Sequence, residues 1–120
     1  MEGGDTKTMT EIFDLNKLAT FSQKKGVLSI PEDLANVKKD LLSTNNYTVA
    51  LICLEAGQEI PAHPEPYGAC FYVITGKGKF TIGEETFELS KGQLIYAAAD
   101  EVRAIQSLEK LVLIGIHDPH

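Results

Sequence analysis

Tryptophan is absent from this 120-residue chain, and cysteine and methionine occur only twice each. Two cysteines, Cys53 and Cys70, are too few for a disulfide scaffold and lack the CxxC spacing of zinc or redox pairs, so both are read as free thiols that pack as small hydrophobes. No run approaches the ~20 apolar residues of a membrane helix, which predicts no membrane partner. The opening MEGGDTKTMT has no apolar centre of the kind secretory signals carry, and predicts a cytoplasmic location. Basic charge is scarce. Eleven Lys and Arg against 17 Asp and Glu leave a net charge of -6, which repels phosphate backbones and predicts no nucleic-acid partner.

What is present suits one globular domain: 43% of residues are apolar and 23% charged. Residues 1 to 10 are polar and glycine-rich and are expected to form a flexible leader, with residues 11 to 120 as a single domain. Ile12, Leu15, Leu18 and Phe21 recur at threes, so a short helix with Asp14 as its cap is expected to cover the body of the fold, ending by Lys24-Lys25-Gly26. Ser29 to Asp33 reads either as a helix entry at Pro31 or, with Val27 and Ile30, as an edge strand. Beyond residue 40 the pattern becomes short runs rich in Val, Ile, Phe and Tyr, broken at about ten-residue intervals by Asn and Gly. Strands are expected at Leu41 to Ser43, Tyr47 to Leu54, Phe71 to Thr75, Lys79 to Ile82, Thr86 to Leu89, Gln93 to Ala97, Arg103 to Ser107 and Leu111 to Ile116. Turns at Asn45-Asn46, Gly76-Lys77-Gly78 and Gly83-Glu84 make three hairpin signals. Eight or nine short strands predict a sandwich or small barrel.

One stretch is more specific. In the segment from Gly57 to Gly78, Gly57, His63 and Gly76 hold the spacing of the first cupin motif, with Phe71-Tyr72-Val73 and Gly76-Lys77-Gly78 where that family has a strand and a turn. Gly92 to Ser107 is similar to the second motif, of which Gly92 and the spacing persist. Residues 40 to 117 thus resemble the cupin superfamily, as a small single-domain member with a degenerate metal site. The resemblance implies an all-β fold: a double-stranded β-helix, or jelly-roll, barrel with a short N-terminal helical or irregular segment.

The departures from the pattern bear on chemistry. In metal-binding cupins two His and a Glu of the first motif and a His of the second surround a divalent ion, and those positions are occupied here by His63, Glu65, Ala69 and Arg103. Glu65 can ligate, but Ala69 offers no lone pair and Arg103 stays charged. A dication ~5 Å from a guanidinium at an effective dielectric of about 20 is repelled by roughly 6 to 7 kcal/mol, or about five decades of affinity. No metal cofactor is therefore expected; a divalent ion on His63 and Glu65 is the alternative.

Arg103 is instead expected to take the vacated charge niche, paired with Glu65 beside His63, its fork open to the carboxylate or phosphate of a small ligand. The competing structural reading is that the pair merely fills a polar interior. Tyr67, Phe71 and Tyr96 are candidate pocket liners, Leu51, Val73 and Ile105 candidate walls, and Ala69, Ala97, Ala98 and Ala99 leave room for a cavity. His117 and His120 read as a frayed tail with adventitious metal affinity. These features predict a small-molecule-binding barrel or a sensory or accessory module, and the resemblance implies a homodimer. The alternative is an enzyme, either a metal-dependent isomerase, dioxygenase or decarboxylase or a metal-free acid/base catalyst using His63.

Overall fold

The computed structural model describes residues 10 to 119, so nearly all of the expected leader, and His120, fall outside the described residues. The described chain forms β1 (Lys38–Ser43), β2 (Thr48–Leu54), β3 (Glu59–Pro64), β4 (Ala69–Ile82), β5 (Glu85–Ser90), β6 (Leu94–Ala97) and β7 (Val102–His117). These strands pair antiparallel throughout.

The architecture rests on β4 and β7, which pair along their whole lengths from Ala69↔His117 to Ile82↔Arg103. The second half of β7 also pairs with β2 and its first half with β3. Likewise the first half of β4 pairs with β6 and its second half with β5. Each long strand therefore serves two sheets, in the orders β1-β2-β7-β4-β6 and β3-β7-β4-β5, which face each other across the core as a jelly roll. The expected all-β barrel is present, but two expected breaks are missing. Gly76-Lys77-Gly78 is not a hairpin, and Arg103 to Ser107 runs on into Leu111 to Ile116. In both places extra residues are absorbed as bulges that bend a strand without ending it, with register shifts between Val73 and Gly78 opposite Leu113 to Ser107. Gly76 carries the bend at φ 91°, and a Cβ there would lie 2.0 Å from the Lys110 carbonyl oxygen, so only glycine fits where the strands cross.

Strand parity divides the side chains. Ile52, Leu54, Val73, Phe80, Leu111 and Leu113 fill the space between the sheets. Leu51, Cys53 and Val112 point the other way, yet are buried because Leu15, Leu18 and Phe21 of the N-terminal segment pack over them. That segment contains a single helical turn, α1 (Leu15–Leu18), with the Asp14 side chain accepting from the Lys17 amide at 3.3 Å. The expected cap is right, but the helix is shorter than its apolar period suggests and leaves Ile12 91% exposed. A lone turn of this kind is held by packing, since helix nucleation is unfavourable over so few residues.

Both readings of the next stretch are partly realised. Val27 makes an isolated parallel bridge to Glu59, and after the cis Ile30-Pro31 bond comes α2 (Leu34–Val37). Gln58, 2% exposed, ties this strap down: its amide nitrogen donates to the Ser22 and Lys24 carbonyls and its amide oxygen accepts from the Glu55 amide. Among the described residues no helix is long and apolar enough to cross a membrane.

Candidate functional site

At one end of the core the inward rows run Thr48, His117, Ala69, Ala97 and then Ala50, Gly115, Phe71, Ile95. Small side chains in these rows leave a cavity of about 80 Å³. The facing sheet contributes Ile60, His63, Arg103 and Ile105 to its walls, and Leu34 of α2 and Lys38 of β1 line it as well. His63 and Arg103 meet because they are direct cross-strand partners on β3 and β7.

The His63 Nε2 lies 2.7 Å from a Glu65 carboxylate oxygen, and its Nδ1 lies 3.0 Å from the Pro61 carbonyl. A carbonyl and a carboxylate both accept, so the contacts are satisfied together only with a proton held between Nε2 and Glu65. Arg103 is 5% exposed and points inward, as expected. Its expected pair with Glu65 does not form. Nε donates to the Glu101 carbonyl at 3.2 Å, and Nη2 donates to the carbonyls of Tyr67 at 3.0 Å and Ala98 at 2.7 Å. Glu65 is taken by the imidazole two residues away, while the loops on either side offer Arg103 carbonyls. The guanidinium lies 5.6 Å from the centre of the Tyr67 ring, and Nη1 is buried with no hydrogen-bond partner among the described residues. Burial raises the Tyr67 phenol above its ordinary value, helped by the Glu65 charge and opposed by Arg103.

The loop before Arg103 differs in sequence from the second cupin motif but keeps a tight turn. Asp100 stands where the pattern has glycine, adopts φ 70°, and donates its amide to the Glu65 carbonyl at 2.7 Å. Aspartate is among the residues that tolerate this region best. Ala97 is fully buried, whereas Ala98 and Ala99 face outward.

Of the candidate liners, Tyr67 and Phe71 are at the cavity and Tyr96 is not. Tyr96 is 61% exposed on the outer side of β6, because its parity on the strand is opposite to that of Ala97. Leu51 is likewise on the outer face, and Val73 lies in the core without reaching the cavity, whereas Ile105 is a wall as expected. His117 is no frayed tail: it closes β7, is 6% exposed, lines the cavity and packs its ring 4.6 Å from that of Tyr67. Ala50, Gly115, Leu34 and Lys38 also line the cavity and were not singled out by the sequence. For Ala50 and Gly115 the available signal was their two-residue spacing from the inward Ile52 and Leu113 on the same strands.

The donor set does not fit the divalent ion that metal-binding cupins hold. A methyl group and a guanidinium stand at two of the four positions, and among the described residues no group of three or more His, Cys, Asp or Glu converges. The groups present suit an anion better: Arg103 is a fixed cation at the wall, Lys38 lines it with its ammonium 3.8 Å from the Asp40 carboxylate, and the single carboxylate among the lining residues, Glu65, is bound to His63.

Comparison with known proteins agrees with this architecture. An uncharacterised protein of Streptomyces coelicolor is 29% identical over 58 residues, 48% of this chain and 55% of that protein, so the match covers only about half the length of this curated relative. The crystal structure of TT1209 from Thermus thermophilus superposes with a TM-score of 0.77 at 22% identity, covering 92% of this chain and 98% of that one. An uncharacterised conserved protein with a double-stranded β-helix domain from Klebsiella pneumoniae gives 0.74 at 21% identity, covering 92% and 91%. At these identities the likeness establishes the fold. The model of the cupin domain family matches residues 50–114, more than half the chain, and with its jelly roll and the spacing from Gly57 to Gly76 this chain belongs to the cupin family.

Proposed function

We propose that this cupin is a binding or sensory module for a small organic acid, held in the barrel cavity without a metal ion. The observation that carries the reading is Arg103, which lines the cavity and whose Nη1 is buried and lacks a partner among the described residues. A buried donor left unpaired costs ~1 to 3 kcal/mol, and more when charged, so a carboxylate that reaches Nη1 recovers that free energy on binding. Three carbonyl acceptors hold the guanidinium in place beforehand, which limits the ordering cost of recognition. The apolar remainder of the walls, including Ile60, Phe71 and Ile105, suits a hydrocarbon tail.

The test is thermal unfolding of the purified protein with acetate, butyrate or benzoate, against the matching alcohols. An acid at 100 times its Kd adds ~2.7 kcal/mol, which raises Tm by about 10 °C or more, and Arg103→Ala removes the shift. No shift with any acid, or an equal shift in Arg103→Ala, refutes the reading. A second reading, metal-free acid/base catalysis, draws support from the 2.7 Å contact of His63 with Glu65. On that reading His63→Gln retains acid binding and loses all turnover of the bound acid.

A further inference from the structure

The cavity exists because volume is missing from one sheet. Ala50, Gly115 and Phe71 are successive cross-strand partners, and Ala69 lies in the adjoining row, so a Cβ, a hydrogen and another Cβ stand where the rest of the core has Ile, Leu and Val. At Gly115 the backbone imposes no positive φ, and a Cβ would lie 3.5 Å from the Phe71 ring and 3.7 Å from Ile52 Cδ1, which is ordinary contact. Glycine is therefore not demanded there by the fold, unlike at Gly76. What it leaves open is space in the same cavity that Arg103 lines.

We propose that Gly115 is the specificity-determining residue of the site: it sets the length of the tail that fits between the Arg103 guanidinium and the Phe71 ring, and so selects short monocarboxylic acids. The inference rests on the acid-binding reading above. With ~10 to 15 Å³ for each water-sized position, a cavity of about 80 Å³ holds roughly five to eight such positions. The matching ligands are straight or branched acids from about propionate to hexanoate, with the carboxylate on Nη1 and the tail towards Gly115.

The experiment measures binding of the straight-chain acids from acetate to decanoate, with the corresponding primary alcohols as controls, to the wild type, Gly115→Ala and Phe71→Leu. In the wild type each added methylene tightens binding by up to about fourfold until the limit near hexanoate, beyond which affinity falls. Gly115→Ala moves that limit one or two methylenes shorter while acetate and propionate bind within twofold of the wild type. Phe71→Leu moves it longer, and reads the same dimension should Gly115→Ala fail to fold. Acid binding with one unchanged length limit in every folded variant overturns the role of Gly115 and leaves the acid site standing. Absence of binding by every acid overturns the acid site itself, and the inference with it.

Discussion

Substituting Gly76 by alanine tests the argument that the barrel depends on a crossing at which β4 and β7 touch backbone to backbone. The cost has two parts. Holding a residue with a Cβ at a positive φ costs about 1 to 2 kcal/mol. The second part is collision: the added Cβ would lie 2.0 Å from the Lys110 carbonyl oxygen and 2.8 Å from both the Lys110 carbonyl carbon and Leu111 Cα. These are main-chain atoms within a paired strand, so relief requires a shift of the strand itself, which at overpacked sites costs typically ~1 to 3 kcal/mol. The total is about 2 to 5 kcal/mol, a large share of the ~5 to 15 kcal/mol that stabilises a domain of this kind. Gly57 supplies the control, since it has φ 87° with nothing within 4 Å of its added Cβ, and Gly57→Ala should cost only the dihedral part. Urea unfolding followed by circular dichroism gives both values. Equal midpoints for Gly76→Ala and Gly57→Ala would refute the collision and with it the bent-strand account of the fold.

Three further outcomes follow from features away from the cavity. Gln58→Ala removes the amide that joins the strap to the barrel and should lower stability by about 2 to 3 kcal/mol, with faster hydrogen exchange confined to residues 22 to 37, read by mass spectrometry. Alkylation of the native protein should label Cys70 well before Cys53, because Cys53 is 2% exposed and burial raises its thiol above the ordinary value; peptide mapping checks the order. Asp33 is held below its ordinary value by Lys24, whose ammonium lies 2.7 Å away, and by the Ser29 amide. The stability it contributes is present above the unfolded value and is lost as pH falls through the lower folded one, so Asp33→Asn should flatten the unfolding midpoint's decline only below about pH 4.

Much of the architecture was legible in the residues. Alternating Val, Ile and Phe runs marked the strands, and Gly57, His63 and Gly76 tied them to a family. The strand count was too high because a glycine with positive φ serves a hairpin and a bulge equally well, and nothing in Gly76-Lys77-Gly78 reveals that Lys110 and Leu111 lie across from it. At the site, the match of Arg103 to a ligand position of the second cupin motif placed it indoors, but its partners are main-chain carbonyls of loops, which have no signature in side-chain identity. Tyr96 was misplaced by one position in strand phase, enough to send a ring to the opposite face. Conversely, His117 reads as terminal by position although Val112, Leu113 and Ile114 continue the strand up to it.

Because β4 and β7 each run through both sheets, the two layers share covalent backbone and have no seam along which to part. The cavity lies at one end of this shared frame, where the lining side chains of His63 and Glu65 are 24% and 27% exposed and Leu34 of the strap forms a wall, so solutes meet it without parting the layers. Access to the cavity and the stability of the frame thereby rest on different parts of the molecule.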